Sequence, residues 1–300
     1  MSALTSDFYF KRAKKYRKCG LNDSALRDYT TVVQIDPSHV KAHNNRGNIY
    51  YDQEEYQKAI EDYSRAIELA PEAPSSYCGR GLCHERLRDY TSALEDLNTA
   101  IVLENSKASY HYNRGNVWYE LQEFDKAMED YTAALCRDPG YSLAFYNRGM
   151  AWKQLKKYDL AINDFTEAIR LKPDYSFAYF NRADTWSLLY MFGDAKCDYE
   201  RGLSYFDNDS ARIYLSQCVE KIRQYENDAC KYTEQIRTNP ELPENIFGRA
   251  LCYYYQGKYD QAISDFSYLL EKCPDDELFI RYLQDCNRKR MKNPLTAALR

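Results

Sequence analysis

The sequence predicts an all-α solenoid of about eight helical hairpins with a C-terminal capping helix. Three observations carry this. An alanine recurs every 34 residues at Ala25, Ala59, Ala93, Ala127, Ala161, Ala195 and Ala229, with Ala262 following after a step of 33. Within one period, from His43 to Gln53 and from Tyr56 to Leu69, apolar residues return at three and four, the helical spacing. Glycine (11) and proline (9) are too scarce in 300 residues for the many turns of a sandwich or for glycine-rich phosphate loops.

Each hairpin is specified by residue size. Twelve positions before the alanine stands a second small residue, at Ala13, Gly47, Gly81, Gly115, Gly149, Ala183 and Ala250, and seven after it a third, at Ala66, Ala100, Ala134, Ala168 and Gly202. Small residues at fixed offsets on two helices mark a close crossing. Tight polar turns such as Asp52-Gln53-Glu54 or Arg88-Asp89 leave room only for antiparallel neighbours. Pro37, Pro71, Pro139, Pro173 and Pro274 then stop the second helix, because proline lacks the amide donor.

In chain order, repeats begin near residues 6, 40, 74, 108, 142, 176, 210 and 243, giving an array over 6–275. The first helix, with Lys11, Arg12, Lys14, Lys15, Arg17 and Lys18, is charged enough to face water and serve as its own cap. The repeat at 210–242 diverges: Gln217 stands where Gly or Ala is usual and Glu220 where an aromatic is usual, so a local irregularity, a bend or a domain seam, is expected there. Residues 276–292 form the capping helix, whose Phe279, Tyr282, Leu283 and Cys286 make one apolar stripe, and 293–300 remain as a tail.

A charge pair repeats with the same period. Arginine precedes the small residue at Arg12, Arg46, Arg80, Arg114, Arg148, Arg182 and Arg249, and aspartate answers at Asp28, Asp62, Asp96, Asp130, Asp164, Asp198 and Asp265. In the divergent repeat both are lost, to Ser216 and Tyr232. Joint loss is expected if each arginine is neutralised by the aspartate of its own hairpin.

The small residues and closing prolines, with aromatic positions at Tyr16, Tyr50, His84, Trp118, Trp152, Trp186 and Tyr253 and at Tyr56, Tyr90, Phe124, Tyr158, Phe192 and Tyr259, resemble the tetratricopeptide repeat family over about nine-tenths of the chain. The resemblance implies a right-handed superhelical solenoid whose concave groove is lined by the first helix of each hairpin. At those positions stand Asn45, Asn48, Asn113, Asn116, Asn147 and Asn181, interrupted by Gly79, with Tyr112, Tyr119, Tyr146, Phe177 and Phe180 around them. Carboxamides match the donors and acceptors of an extended backbone, and aromatics anchor its side chains, so these residues are the expected peptide-binding set, free of intramolecular contacts. Lys11, Lys14 and Lys18 would extend the footprint of an acidic ligand.

The expected function is a non-enzymatic protein-protein interaction scaffold or adaptor that binds an extended peptide or a helix of a partner. The alternative is a co-chaperone. Chaperone-binding members of the family grip a terminal carboxylate with lysines, asparagines and an arginine spread over three repeats, but the matching places here hold Phe10 and Lys14, then Asn45, then Ser75 and Gly79, so only the middle element survives. A third reading, RNA binding, lacks a continuous basic stripe, and the net charge of −4 gives no global pull on nucleic acid. No catalytic, cofactor-binding or metal-binding residues are expected. His39, His43, His84 and His111 form no metal spacing, and no GxSxG or HExxH is present. Mean hydropathy of −0.74, ten scattered cysteines without CxxC, and no secretory signal in the first residues or lipidation motif at Ala298-Leu299-Arg300 give the expectation of a reduced, cytoplasmic protein without a membrane span.

Overall fold

The computed structural model describes residues 5–292. Among them the regular structure is α-helical: α1 (Ser6–Lys18), α2 (Asn22–Ile35), α3 (Val40–Asp52), α4 (Tyr56–Leu69), α5 (Pro74–Arg86), α6 (Tyr90–Leu103), α7 (Ala108–Glu120), α8 (Phe124–Arg137), α9 (Ser142–Gln154), α10 (Tyr158–Leu171), α11 (Ser176–Leu188), α12 (Phe192–Tyr205), α13 (Asp209–Thr238), α14 (Pro243–Tyr255), α15 (Tyr259–Lys272) and α16 (Glu277–Lys292). The chain divides into two compact segments, Met1–Leu155 and Lys156–Arg300. In the first, α1/α2, α3/α4, α5/α6 and α7/α8 are packed hairpins, followed by α9 against α8. In the second, α10 packs on α11, α11/α12 and α14/α15 are hairpins, and α16 covers α15. Residues 293–300, the expected tail, lie outside the described residues.

Each hairpin turns at one left-handed residue at a constant repeat position: Glu54, Arg88, Gln122, Lys156 and Tyr190, with φ between 57° and 62°, and Gly20 and Gly257 in the outermost hairpins. The helices cross at the small residues, and the fully buried aromatics Tyr29, Tyr63 and Tyr131 fill the first segment while Phe165, Tyr199 and Phe266 fill the second. These come from the second helix of each hairpin and pack over the alanines, which are themselves inaccessible at Ala25, Ala59, Ala127, Ala161, Ala195 and Ala262.

The repeated charges meet as two-pronged pairs. Arg46 Nε and Nη2 each donate to a different oxygen of Asp62 at 2.7 Å, and Arg12–Asp28, Arg80–Asp96, Arg114–Asp130, Arg182–Asp198 and Arg249–Asp265 repeat the fork at 2.6–2.9 Å. Parallel N–H···O bonds of this kind are strong and fix geometry. The remaining nitrogen reaches back to the preceding hairpin, Arg80 Nη1 to Ser64 Oγ at 3.1 Å and Arg114 Nη1 to Asn98 Oδ1 at 2.6 Å, so one side chain ties both the hairpin and its neighbour. His43 Nδ1 adds a third bond to Asp62 at 3.0 Å, which gives that histidine a structural place.

The irregularity expected at 210–242 takes a definite form: α13 is one continuous 30-residue helix where a hairpin would stand. Gln224, at the turning position, is helical. The physical reason lies in what the stretch lacks. With Gln217 in place of a small residue two helices cannot approach, no ion pair rewards the crossing, and no Gly or Pro interrupts a run of good helix formers. The boundary between the compact segments falls at Leu155/Lys156 and not in this repeat.

One contact skips a repeat. With α13 unable to supply a hairpin, the turn between α11 and α12 packs directly on the eighth repeat: Met191 lies in one core with Ile246, Ala250, Tyr254 and Tyr259. The Tyr259 hydroxyl donates to Asp194, 65 residues away. The approach is close enough to require Gly193, since a Cβ there would sit 2.1 Å from the Gln256 carbonyl oxygen. The α16 stripe completes this core, with Cys286 fully buried and the Tyr282 ring stacked on Phe266 at 5.2 Å. Lys289 bonds Asp285 at 3.1 Å and lies over the rings of Trp186 and Tyr254, and Arg290 pairs with Asp260 at 3.3 Å.

Candidate functional site

The first helices α3, α5, α7 and α9 contact one another in sequence and form one face of the first segment. Asn45, Asn48, Tyr112, Asn113, Asn116, Tyr146 and Asn147 all lie on these helices, while Phe177, Phe180 and Asn181 belong to α11 in the second segment.

The amides are not idle. Tyr63 Oη donates to Asn48 Oδ1 at 2.6 Å, and Tyr131 Oη to Asn116 Oδ1 at 2.9 Å. Asn147 Nδ2 donates both to Asn116 Oδ1 at 2.9 Å and to the Tyr112 hydroxyl at 3.0 Å, and Asn113 Nδ2 to Cys78 Sγ at 3.3 Å. Asn45 hydrogen-bonds Tyr29, and Asn181 Nδ2 donates to the Phe177 carbonyl at 3.0 Å. The expectation of carboxamides free of intramolecular contacts is therefore corrected: Asn48 and Asn116 satisfy the hydroxyls of core tyrosines, and Asn113 and Asn147 join adjacent repeats. Phe180 is corrected as well. It is buried at 7% exposure, its ring filling the space over Gly202, and it presents no face to a ligand, whereas Phe177 is 48% exposed. Tyr112 is half-buried between Tyr131 and Tyr141, and burial pushes its hydroxyl pKa up.

Two cavities open on the α3–α9 face. The first, about 300 Å³, is lined by Asn48, Tyr51, Tyr63, Cys78, Gly79 and Leu82, with Arg17 and Asp52 ion-paired at its rim. It exists because the asparagine series breaks at Gly79: the Tyr63 ring lies where a Cβ would be, 2.6 Å away, so any side chain there would close the space. The Cys78 thiol faces it, raised to about 11 by burial, a pKa that keeps it a neutral wall and a poor nucleophile. The second cavity, about 290 Å³, is lined by Glu85, Arg86, Asn116, Tyr119, Glu120, Tyr131, Tyr146, Asn147 and Met150. Sequence reasoning found Asn48, Asn116, Tyr119, Tyr146 and Asn147 among these linings and missed Tyr51, Leu82, Glu85, Glu120 and Met150. The signal was present, since these lie three or four positions after the asparagine places on the same helix face.

Of the proposed acidic-ligand contacts, Lys11 pairs with Asp7 at 2.7 Å, and Lys14 and Lys18 are exposed on α1. Phe10, at a clamp position of the chaperone binders, packs on Tyr29 and His39.

Residues 40–72, 108–141 and 142–175 match the family described as tetratricopeptide repeat, 243–276 match another model of that description, and 13–53 match one described as TPR repeat; together they take in more than half of the chain. The chain is a tetratricopeptide repeat protein. Solved structures share its fold. A tetratricopeptide repeat protein from Parabacteroides merdae is similar over 94% of this chain and 98% of its own, at 17% identity and a TM-score of 0.58. YrrB, described as a TPR protein with an unusual peptide-binding site, is 17% identical over 63% of this chain and 97% of its own, with a TM-score of 0.52. The MamA protein is 27% identical over 56% of this chain and 92% of its own, with a TM-score of 0.50. A search of the curated proteins finds no significant match. Tetratricopeptide repeats are protein-interaction modules, typically non-catalytic, that bind proteins or peptides, and that is the general role the family gives this chain. Among the described residues no helix is long and apolar enough to cross a membrane.

Proposed function

We propose that this tetratricopeptide repeat protein is a non-enzymatic scaffold or adaptor that holds an extended peptide of a partner protein on the α3–α9 face of its first segment. The observation that carries this reading is the pair of cavities, each of side-chain size, opening on that face two repeats apart. Side chains of an extended peptide would enter them while its backbone runs across the intervening amides. Among the described residues Asn147 Oδ1 and Asn113 Oδ1 accept no hydrogen bond and supply two acceptors for that backbone. The set is rigid before any ligand arrives, because the same amides are pinned by Tyr131, Tyr112 and Cys78, and a preorganised surface loses little entropy on binding.

Filling the cavities tests this. Peptides selected by display on the full-length chain should lose binding to Leu82→Trp and Met150→Trp, each of which places an indole in one cavity. Substitution of exposed residues on the second helices, such as Glu95→Ala or Glu129→Ala, should leave binding intact. Selected peptides that bind all four variants alike would overturn the reading.

A further inference from the structure

Resting on that peptide reading, we propose that the cavity between α5, α7 and α9 is a socket for a basic side chain, arginine or lysine, of the bound partner peptide. Three tyrosines line it, Tyr119, Tyr131 and Tyr146, with the flexible thioether of Met150 beside them. Aromatic faces attract cations, and this chain already uses them so: Lys126 Nζ lies 4.6 Å from the Trp118 ring centre and Lys58 Nζ 5.5 Å from that of Tyr50.

The same walls carry two carboxylates, Glu85 and Glu120. Neither forms an ion pair among the described residues. Arg86, the one cation in the lining, instead donates from Nε to the Tyr51 hydroxyl at 3.1 Å, toward the other cavity. Burial pushes the Glu85 carboxyl up from its ordinary range, Arg86 offsets this in part, and the like charge of Glu120 pushes it further. The first cavity is the internal control: its carboxylate, Asp52, is neutralised by Arg17 of the same chain. The second thus combines tyrosine rings, two carboxylates that only Arg86 offsets in part, and room for a long side chain.

The probe is a set of fluorescein-labelled, end-blocked octapeptide pools differing only at a fixed central residue: arginine, lysine, citrulline, leucine or glutamate. Binding to the full-length chain is read by anisotropy. The arginine and lysine pools are expected to bind about tenfold more tightly than citrulline, which keeps the shape of arginine and removes its charge. The double variant Glu85→Gln, Glu120→Gln, checked for an unchanged circular-dichroism melt, should erase that preference while keeping the citrulline affinity. Equal binding of all pools, or a preference that survives in the double variant, overturns the socket. Equal binding that Met150→Trp abolishes overturns the socket alone and leaves the groove standing. If no pool binds, both readings fall.

Discussion

The hydroxyl of Tyr63 donates to the carboxamide oxygen of Asn48 across its own hairpin at 2.6 Å, and the pairing recurs in two further hairpins. Tyr131 bonds Asn116 and Tyr199 bonds Asp184 at the equivalent places. Where the core residue has no hydroxyl, as at Leu97, Phe165 and Phe266, the facing position holds Leu82, Met150 and Leu251. A polar acceptor appears only where a core donor needs one. Asn48→Ala should therefore destabilise by about 1 kcal/mol, measured by urea unfolding, and Tyr63→Phe with Asn48→Leu should recover most of it. If the double variant is as unstable as the sum of its single changes, the two residues are not partners.

The arginine forks predict an asymmetry. Asp130 is 4% exposed, so Arg114→Ala strands a buried carboxylate and should cost about 3 kcal/mol. Arg114→Met with Asp130→Leu removes both charges and should cost much less. Thermal unfolding of the two variants checks this, and equal losses would mean that the fork contributes by packing alone.

His111 supplies a pH dependence. Burial, helped by Arg137, holds its pKa below the ordinary 6.5, although Asp130 pulls the other way. The fold thus favours neutral imidazole: its contribution is complete above 6.5 and is lost as pH falls from 6.5 through the folded value. His111→Phe, which copies Phe145 at the next repeat, should flatten the fall in stability between pH 7.5 and 5.5. An unchanged slope in urea titrations at the two pH values would assign the acid sensitivity elsewhere.

The contact that skips a repeat rests on Gly193. Gly193→Ala drives a methyl group into the Gln256 carbonyl and should cost about 3 kcal/mol. Trp186, which borders this core, reports the change through its fluorescence. A neutral Gly193→Ala would show that the α11–α12 turn and the eighth repeat do not depend on each other.

Period, crossing residues, ion pairs and cap were legible because each is a local requirement stamped on every repeat: Ala59 and Gly47 must be small, and Arg46 needs Asp62. The path of α13 was legible only as a loss, since Gln217 forbids a crossing without saying what replaces it. The Asp194–Tyr259 contact was illegible, being set by three-dimensional packing between residues 65 apart. The site was half legible. Helical spacing placed Asn116, Tyr119 and Asn147 on one face, but whether an amide meets a ligand or a tyrosine hydroxyl is decided by the facing helix. Phe180 was misplaced for the same reason, because Gly202 opens the space that its ring fills.

The most direct test follows backbone amides of the isotope-labelled full-length chain by TROSY spectroscopy while a display-selected peptide is added. Shifts concentrated on α3, α5, α7 and α9, strongest around Leu82, Glu85, Tyr119 and Asn147, are the predicted result. Shifts concentrated on the second helices α4, α6 and α8, with that face unchanged, would contradict the account.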